Sequence, residues 1–318
     1  MASKGNIAVL GSGLIGRSFA MLYASAGYMV KIYDISEDML KDAMSYIEQR
    51  FTALQANGLL KGKLTAEEQL KLITVATDMR DCVESAFYVH ECVPERLDLK
   101  KKVFGELDKL VKSDTILASS TSCIPASQFS EGLNLKNRCI VVHPIYPPYY
   151  APLIELIPAP WTDADVSTRV KDLMEEVGSK PIVFKKEILG FGINRIQYAI
   201  IKVCWDLVED DVLEPEDVEK ILKNGLGMRY AFTGQFETMH MNGFGVTDNV
   251  DRYGPSIWAV LNDMKPVTEL KSDSDTAKKI HDAMCRTFST VDGLPEKRKW
   301  RDDRLMALAK LKKEMGDD

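Results

Sequence analysis

Histidine is scarce, with four in 318 residues. His90, His143, His240 and His281 show no HExxH or other spacing that a metal requires, so no metal site is expected. The six cysteines (Cys82, Cys92, Cys123, Cys139, Cys204 and Cys285) form no CxxC pair and do not cluster. That argues against a disulfide framework and for reduced, intracellular thiols. No apolar run approaches the ~18 residues of a membrane span, so no membrane association is expected. Basic residues are not in excess. A net charge of −6 and a pI near 5.5 argue against a general nucleic-acid binder and leave only a local basic pocket open. The chain enters a strand pattern by Asn6, which leaves no room for a secretory leader, and the expected address is the cytoplasm.

What is present reads as globular. Hydrophobic residues make up 45% and charged residues 28%, which excludes wholesale disorder. At roughly 100–200 residues per domain, the length predicts two domains. The first half alternates strand and helix patterns. Asn6–Leu10, Tyr28–Asp34, Phe87–Val93, Thr115–Ser119, Cys139–His143, Leu153–Ile157 and Pro181–Phe184 read as strands. Arg17–Ala26, Glu37–Ala56, Thr65–Leu72 and Leu97–Val111 read as helices, the third opened by a Thr65/Glu68 capping pattern. Strands separated by helices predict a mostly parallel, doubly wound α/β sheet. Beyond residue 190 only helices are predicted: Phe191–Glu209, buried on more than one side, then Glu214–Lys223, Phe236–Met241, Pro255–Asp263, Asp275–Met284 and Pro295–Met315. The predicted domains are therefore residues 1–189 and an all-helical 190–318.

A dinucleotide signal opens the chain. Gly11-Ser12-Gly13-Leu14-Ile15-Gly16 is a GxGxxG between a strand and a helix. Gly11 permits the tight turn, Gly13 leaves the pyrophosphate unobstructed, and Gly16 lets helix and sheet pack closely. The helix N-terminus offers N–H groups and a positive dipole end to phosphate. Asp34 closes the second strand 18 residues after Gly16, where an acid accepts from ribose hydroxyls and repels a 2′-phosphate. Ile35 and Ser36 supply no cation, so NAD is expected as cofactor rather than NADP. Glu95, with Lys100 on the next helix, either borders the nicotinamide ribose or forms a solvated pair.

Three further stretches suggest chemistry. Ser119-Ser120-Thr121-Ser122-Cys123 is a hydroxyl-rich turn after a strand, suited to holding a ligand. His143 closes one apolar strand, and Glu155 sits within another, Leu153–Ile157. A carboxylate there needs a partner if buried, and an imidazole is a natural one. Such a pairing would fix one tautomer and suit a base that takes a hydroxyl proton. Spacing alone leaves a second arrangement open, a strand-end His and an outward-facing Glu. Asn194 lies in the stretch Gly190–Arg195 that begins the long helix, either hydrogen bonding across a cleft or capping. Cys123 lacks any mark of an activated thiolate and is read as inert.

These motifs together resemble the 3-hydroxyacyl-CoA dehydrogenase superfamily over nearly the whole chain. The markers are the strand–GSGLIG–helix unit, ECVPE (Glu91–Glu95), SSTSC, HPxxPPYYxPLxEL from His143, GFxxNR from Gly190, NGLGMRYAF (Asn224–Phe232), and Trp300-Arg301 followed by Leu308–Lys312. The last three features set the chain apart from CoA-using members. The resemblance implies an N-terminal Rossmann-like doubly wound sheet, a helical C-terminal domain and a homodimer formed through the latter. It implies His143 as acid/base, Glu155 as its orienting partner, and Ser122 and Asn194 as groups holding substrate and imidazole. It also implies NAD contacts at Leu14, Ile15, Asp34, Glu95 and Lys100.

One departure bears on the pocket. The family pattern His-x-x-Asn-Pro reads His143-Pro144-Ile145-Tyr146-Pro147 here, so a ring carrying a hydroxyl replaces a compact amide. Tyr146 is therefore expected to alter pocket volume and turnover. Arg229 offers a planar fork for a carboxylate, or else bridges helices or subunits. The expected activity is NAD-dependent oxidation of the 3-hydroxyl of a small hydroxy acid, with L-gulonate favoured. The alternatives are a 3-hydroxyacyl-CoA dehydrogenase, for which Lys61, Lys63 and Lys100–Lys102 would meet the CoA phosphates, and a structural protein that retains NAD binding.

Overall fold

The computed structural model describes residues 4–316. The chain divides into two units, one comprising residues through Asn194 plus Leu305–Lys310, the other Arg195–Arg304 plus the residues after Lys310.

The first unit is a single eight-stranded sheet flanked by helices. Its strands are β1 (Asn6–Leu10), β2 (Met29–Tyr33), β3 (Ile73–Val75), β4 (Tyr88–Glu91), β5 (Ile116–Ser119), β6 (Cys139–Pro144), β7 (Leu153–Pro158) and β8 (Lys180–Val183). The spatial order is β3-β2-β1-β4-β5-β6-β7-β8. From β1 the chain winds one way to β3 and then the other way to β6. The switch between β1 and β4 opens a crevice at the C-terminal strand edge, the usual ligand position in such sheets. The helices are α1 (Leu14–Ser25), α2 (Glu37–Ala56), α3 (Ala66–Lys71), α4 (Met79–Val83), α5 (Leu97–Leu110), α6 (Ala126–Ser130) and α7 (Ala164–Glu176).

Local chemistry accounts for these elements. Ser36 caps α2 by accepting the Met39 N–H, and Glu37 and Asp38 sit in the first turn against the helix dipole. Leu40, Ala43, Ile47, Phe51 and Leu54 recur at helical spacing and are buried. The predicted capping box at Thr65 and Glu68 is present. Helix α1 starts at Leu14, three residues before the periodicity suggested, because Gly13 serves as its N-cap.

One pairing departs from the parallel scheme, so that β7 and β8 run opposite to the other strands. β6 and β7 pair antiparallel, with His143 directly opposite Glu155. Only residues 145–152 join them, too few for the crossover that a parallel pair needs.

The second unit holds α8 (Ile193–Glu209, whose first two residues belong to the sheet unit), α9 (Pro215–Ile221), a π-turn at Leu222–Leu226, α10 (Gly227–Tyr230), α11 (Gln235–Met241), α12 (Val246–Asp263), α13 (Asp275–Thr287) and most of α14 (Leu294–Met315). Helix α12 begins nine residues before Pro255, which lies inside it and not at its start. Burial of α8 on several sides is not observed. Ile196 and Tyr198 are more than half exposed, as are Phe244 and Trp258 elsewhere in this unit. No helix among the described residues is long and apolar enough to cross a membrane.

His90, in the middle of β4, is fully buried. Its Nδ1 lies 2.7 Å from the Tyr23 hydroxyl, and its ring is 4.0 Å from that of Phe19. Burial, reinforced by the Lys100 charge, depresses its pKa to about 3. The native state therefore holds His90 neutral, whereas the unfolded chain protonates it near pH 6.5. The stability this contributes is complete above pH 6.5 and is lost as the pH falls toward 3. Urea unfolding should lose about 2 kcal/mol from this group between pH 7 and pH 5. His90→Gln should flatten that slope, and an unchanged slope would count against the assignment.

Candidate active site

The cofactor edge begins at the β1–α1 turn. Gly11 has φ +96°, and a Cβ there would lie 2.6 Å from the Cys92 carbonyl oxygen. Such a turn admits glycine only. A Cβ on Gly16 would sit 1.8 Å from the Gly11 oxygen, so α1 packs on the turn only because that position is bare. Gly13 is different, since a Cβ there meets nothing within 4 Å. Its missing side chain keeps open space at the start of α1, where no side chain caps the helix. Leu14 is exposed there, and Ile15 packs against the sheet core.

Asp34 completes this edge. One carboxylate oxygen accepts from the Ser12 N–H at 2.8 Å and the Ser12 hydroxyl at 3.0 Å. The other accepts from the Ser36 N–H. Ser12 was not singled out from sequence, yet it fixes the Asp34 carboxylate. A bare turn, an uncapped helix start and a fixed carboxylate fit a dinucleotide.

The second cluster surrounds His143. Its Nδ1 is 2.8 Å from Glu155 Oε2, and both side chains are buried. The opposite oxygen of Glu155 accepts the Gly192 and Ile193 N–H groups, each at 2.8 Å. A carboxylate accepting at Nδ1 sets the tautomer and leaves Nε2 as the acceptor. Gly192 is part of this design, because a Cβ there would lie 2.8 Å from Glu155 Oε1. Phe191, held at φ 49° and fully buried, places its ring 5.5 Å from that of His143. Neither residue stood out from sequence, although the GFG stretch carried the signal.

The third cluster is the Ser122 turn. Glu95 Oε1 accepts from the Thr121 hydroxyl at 2.5 Å, the Ser122 N–H at 2.9 Å, the Ser122 hydroxyl at 3.3 Å and the Cys123 N–H at 3.2 Å. On the other side, the Asn194 amide donates to the Ser122 carbonyl at 2.7 Å. Burial alone would push Glu95 up, but the Thr121 hydrogen bond, the Lys100 charge and the turn N–H groups outweigh it and hold it below the ordinary carboxylate value. Burial and the Glu95 charge push the Cys123 thiol up, which leaves it a poor nucleophile.

Lys100 is buried, with Nζ 2.9 and 3.0 Å from the two oxygens of Glu91 and 3.4 Å from Glu95. It presents no ammonium to a CoA phosphate at the surface. Tyr146 lies half-buried in the connection after His143. Arg229 is exposed in the helical unit, where it lines a cavity of about 480 Å³ with Gln235, Thr238, Asn242, Asn249 and Tyr253. Among the described residues no group of three His, Cys, Asp or Glu side chains is placed to hold a metal.

Comparison with known proteins agrees with this fold and cofactor edge. Residues 6–188 match the 3-hydroxyacyl-CoA dehydrogenase NAD binding domain, and residues 190–287 match the C-terminal domain of the same family. The chain belongs to the 3-hydroxyacyl-CoA dehydrogenase family, whose first domain binds NAD. Within it, the chain is 46% identical to the lambda-crystallin homolog of Bos taurus, over 99% of this chain and 98% of that one. It is also 31% identical to L-carnitine dehydrogenase of Oceanobacillus iheyensis, over 83% of this chain and 86% of that one. Among solved structures, 5-formyl-3-hydroxy-2-methylpyridine 4-carboxylic acid 5-dehydrogenase, an NAD+ dependent dismutase, aligns with TM-score 0.82 at 27% identity, over 96% of this chain and 97% of that one.

Two glycine variants separate cofactor space from packing. Gly13→Val should raise the Kd for NADH at least about tenfold while moving Tm by no more than about 2 °C. Gly16→Ala should instead lower Tm by several degrees, because the turn must shift. NADH affinity unchanged in Gly13→Val would refute the assignment.

Proposed function

We propose that this chain oxidises the 3-hydroxyl of a small free hydroxy acid, with L-gulonate the favoured substrate. The observation that carries this reading is the His143–Glu155 pair, at 2.8 Å on adjacent strands. NAD, when bound, supplies the hydride acceptor. His143 Nε2 takes the hydroxyl proton as the carbinol C–H bond breaks, and the product is a ketone. Glu155 stabilises the imidazolium that forms, and the Gly192 and Ile193 N–H groups keep Glu155 in place. Ser122 and Asn194 hold the substrate oxygen and the imidazole. Gly11, Gly13, Leu14, Ile15, Gly16 and Asp34 form the cofactor cradle, and Glu95 with Lys100 completes it near the nicotinamide ribose.

The free-acid preference has its own support. Carnitine and the pyridine carboxylate named for the relatives are free carboxylic acids, not thioesters. Arg229 is the group we assign to the substrate carboxylate, and Tyr146 shapes the pocket beside His143. The exposed apolar residues of the helical unit support a homodimer through that unit. Six free thiols suit a reducing compartment, which for this activity is the cytoplasm.

The test is NADH formation at 340 nm with L-gulonate, free 3-hydroxybutyrate and 3-hydroxybutyryl-CoA offered side by side. The free acids should turn over, and His143→Gln should reduce kcat about 10²–10⁴-fold. Arg229→Met should raise the KM for L-gulonate much more than it changes NAD affinity, and an unchanged KM would remove Arg229 from the site. Turnover of the CoA ester alone would overturn the substrate assignment. Silence on all three, with NADH still bound, would favour a structural protein on a dehydrogenase scaffold.

A further inference from the structure

Glu91 closes β4 as a fully buried carboxylate, and the reaction scheme above does not use it. Its two oxygens accept four hydrogen bonds from three groups. Oε1 accepts from Lys100 Nζ at 2.9 Å and the Val93 N–H at 2.7 Å, while Oε2 accepts from Lys100 Nζ at 3.0 Å and the Ser119 hydroxyl at 2.5 Å. Lys100 is in turn exhausted, since its remaining neighbours are the Val93 carbonyl at 3.5 Å and Glu95 Oε2 at 3.4 Å. Glu95 then divides its oxygens. Oε2 faces Lys100, and Oε1 carries the whole Ser122 turn.

The chain of contacts continues without a gap. Asn194 grips the Ser122 carbonyl from the start of α8. The two residues before Asn194 donate their N–H groups to Glu155, which holds His143. A buried acid in β4 is thus joined through side chains and one helix start to the base in β6.

We infer that Glu91 is a positioning residue for this reaction, acting through Lys100 on Glu95 and so on the turn that carries Ser122. The physical reason is charge sharing. Lys100 lies between two carboxylates, and the one that holds it on both oxygens is Glu91. With Glu91 made neutral, the buried ammonium has only Glu95 left as counter-charge. It draws Glu95 toward itself and away from the Ser122 and Cys123 N–H groups. The turn then loosens, although no residue of the turn has been altered. Lys100 accordingly serves the cofactor side indirectly, by setting Glu95.

This inference rests on the dehydrogenase reading for its kinetic arm only. Glu91→Gln keeps the shape and removes the charge. Hydrogen exchange should quicken about tenfold or more at the Ser122 and Cys123 amides, with the sheet core unchanged. The Kd for NADH should rise, and kcat on the hydroxy acid should fall about tenfold with KM within about twofold. Adding Lys100→Met to Glu91→Gln removes the ammonium that draws Glu95 off, so exchange at the turn amides should return toward the wild-type rate, because Glu91 acts through Lys100. Exchange in the double variant as fast as in Glu91→Gln, or unchanged exchange in Glu91→Gln itself, would overturn the inference. Should Glu91→Gln fail to fold, Glu91→Asp keeps the charge but shortens its reach toward Lys100 and should still quicken exchange in the turn, and no change there would equally overturn it. Wild-type silence on every hydroxy acid would instead defeat the activity reading, and the exchange and NADH measurements would still decide the role of Glu91.

Discussion

The pairing of β6 with β7 is the constraint on which the rest of the site depends. In an antiparallel ladder, directly opposed residues share a face and bring their side chains together. That register sets His143 against Glu155 without any loop having to be ordered. Side chains carried by strands are held more firmly than side chains carried by loops. The His143–Glu155 pair therefore inherits the rigidity of the sheet. The start of α8 comes to this pair as its third member, donating two N–H groups to the buried carboxylate. A buried carboxylate is tolerable only when its acceptor capacity is met, and here the backbone meets it.

The same helix start explains why the Ser122 turn belongs to the site. Asn194 follows directly on the residues that bind Glu155, and its amide holds the Ser122 carbonyl. One short segment thus fixes two clusters that lie on different strands. Gly192 is the price of that closeness, because any Cβ there would collide with Glu155. The left-handed Phe191 beside it turns the chain so that both N–H groups face the carboxylate.

Much of this was legible in the residues, and the exceptions have physical reasons. Helix α2 could be read end to end because Ser36 caps it and its apolar residues keep strict period. The glycine turn and Asp34 were legible because each has a separate steric or charge role. Strand β3 and helices α4 and α6 were not, because three to five residues carry too little periodicity. Helix α7 was overlooked although Val166, Val170, Leu173 and Met174 repeat at helical spacing. Pro255 misled because proline favours the first helical turn, yet here it lies within α12. The antiparallel pair was available in principle, since eight residues between β6 and β7 exclude a crossover helix. Glu91 was not available. An acid at a strand end reads as solvated until a lysine nine residues on is seen to turn back toward it from the first turn of α5.

The C-terminal edge of the sheet therefore concentrates buried ionisable groups. Glu91, Lys100, Glu155 and His143 are each nearly or fully removed from water. Such groups add little net stability, since desolvation offsets most of what their pairing returns. Their value is geometric. A buried ion with every donor and acceptor assigned has one arrangement, whereas an exposed one has many. The sequence of contacts from Glu91 to His143 uses this property repeatedly, each group fixing the next. Losing one charge is then worse than losing a pair, because the partner stays buried and must find another neighbour. For Lys100 that neighbour is Glu95, whose other oxygen carries the Ser122 turn.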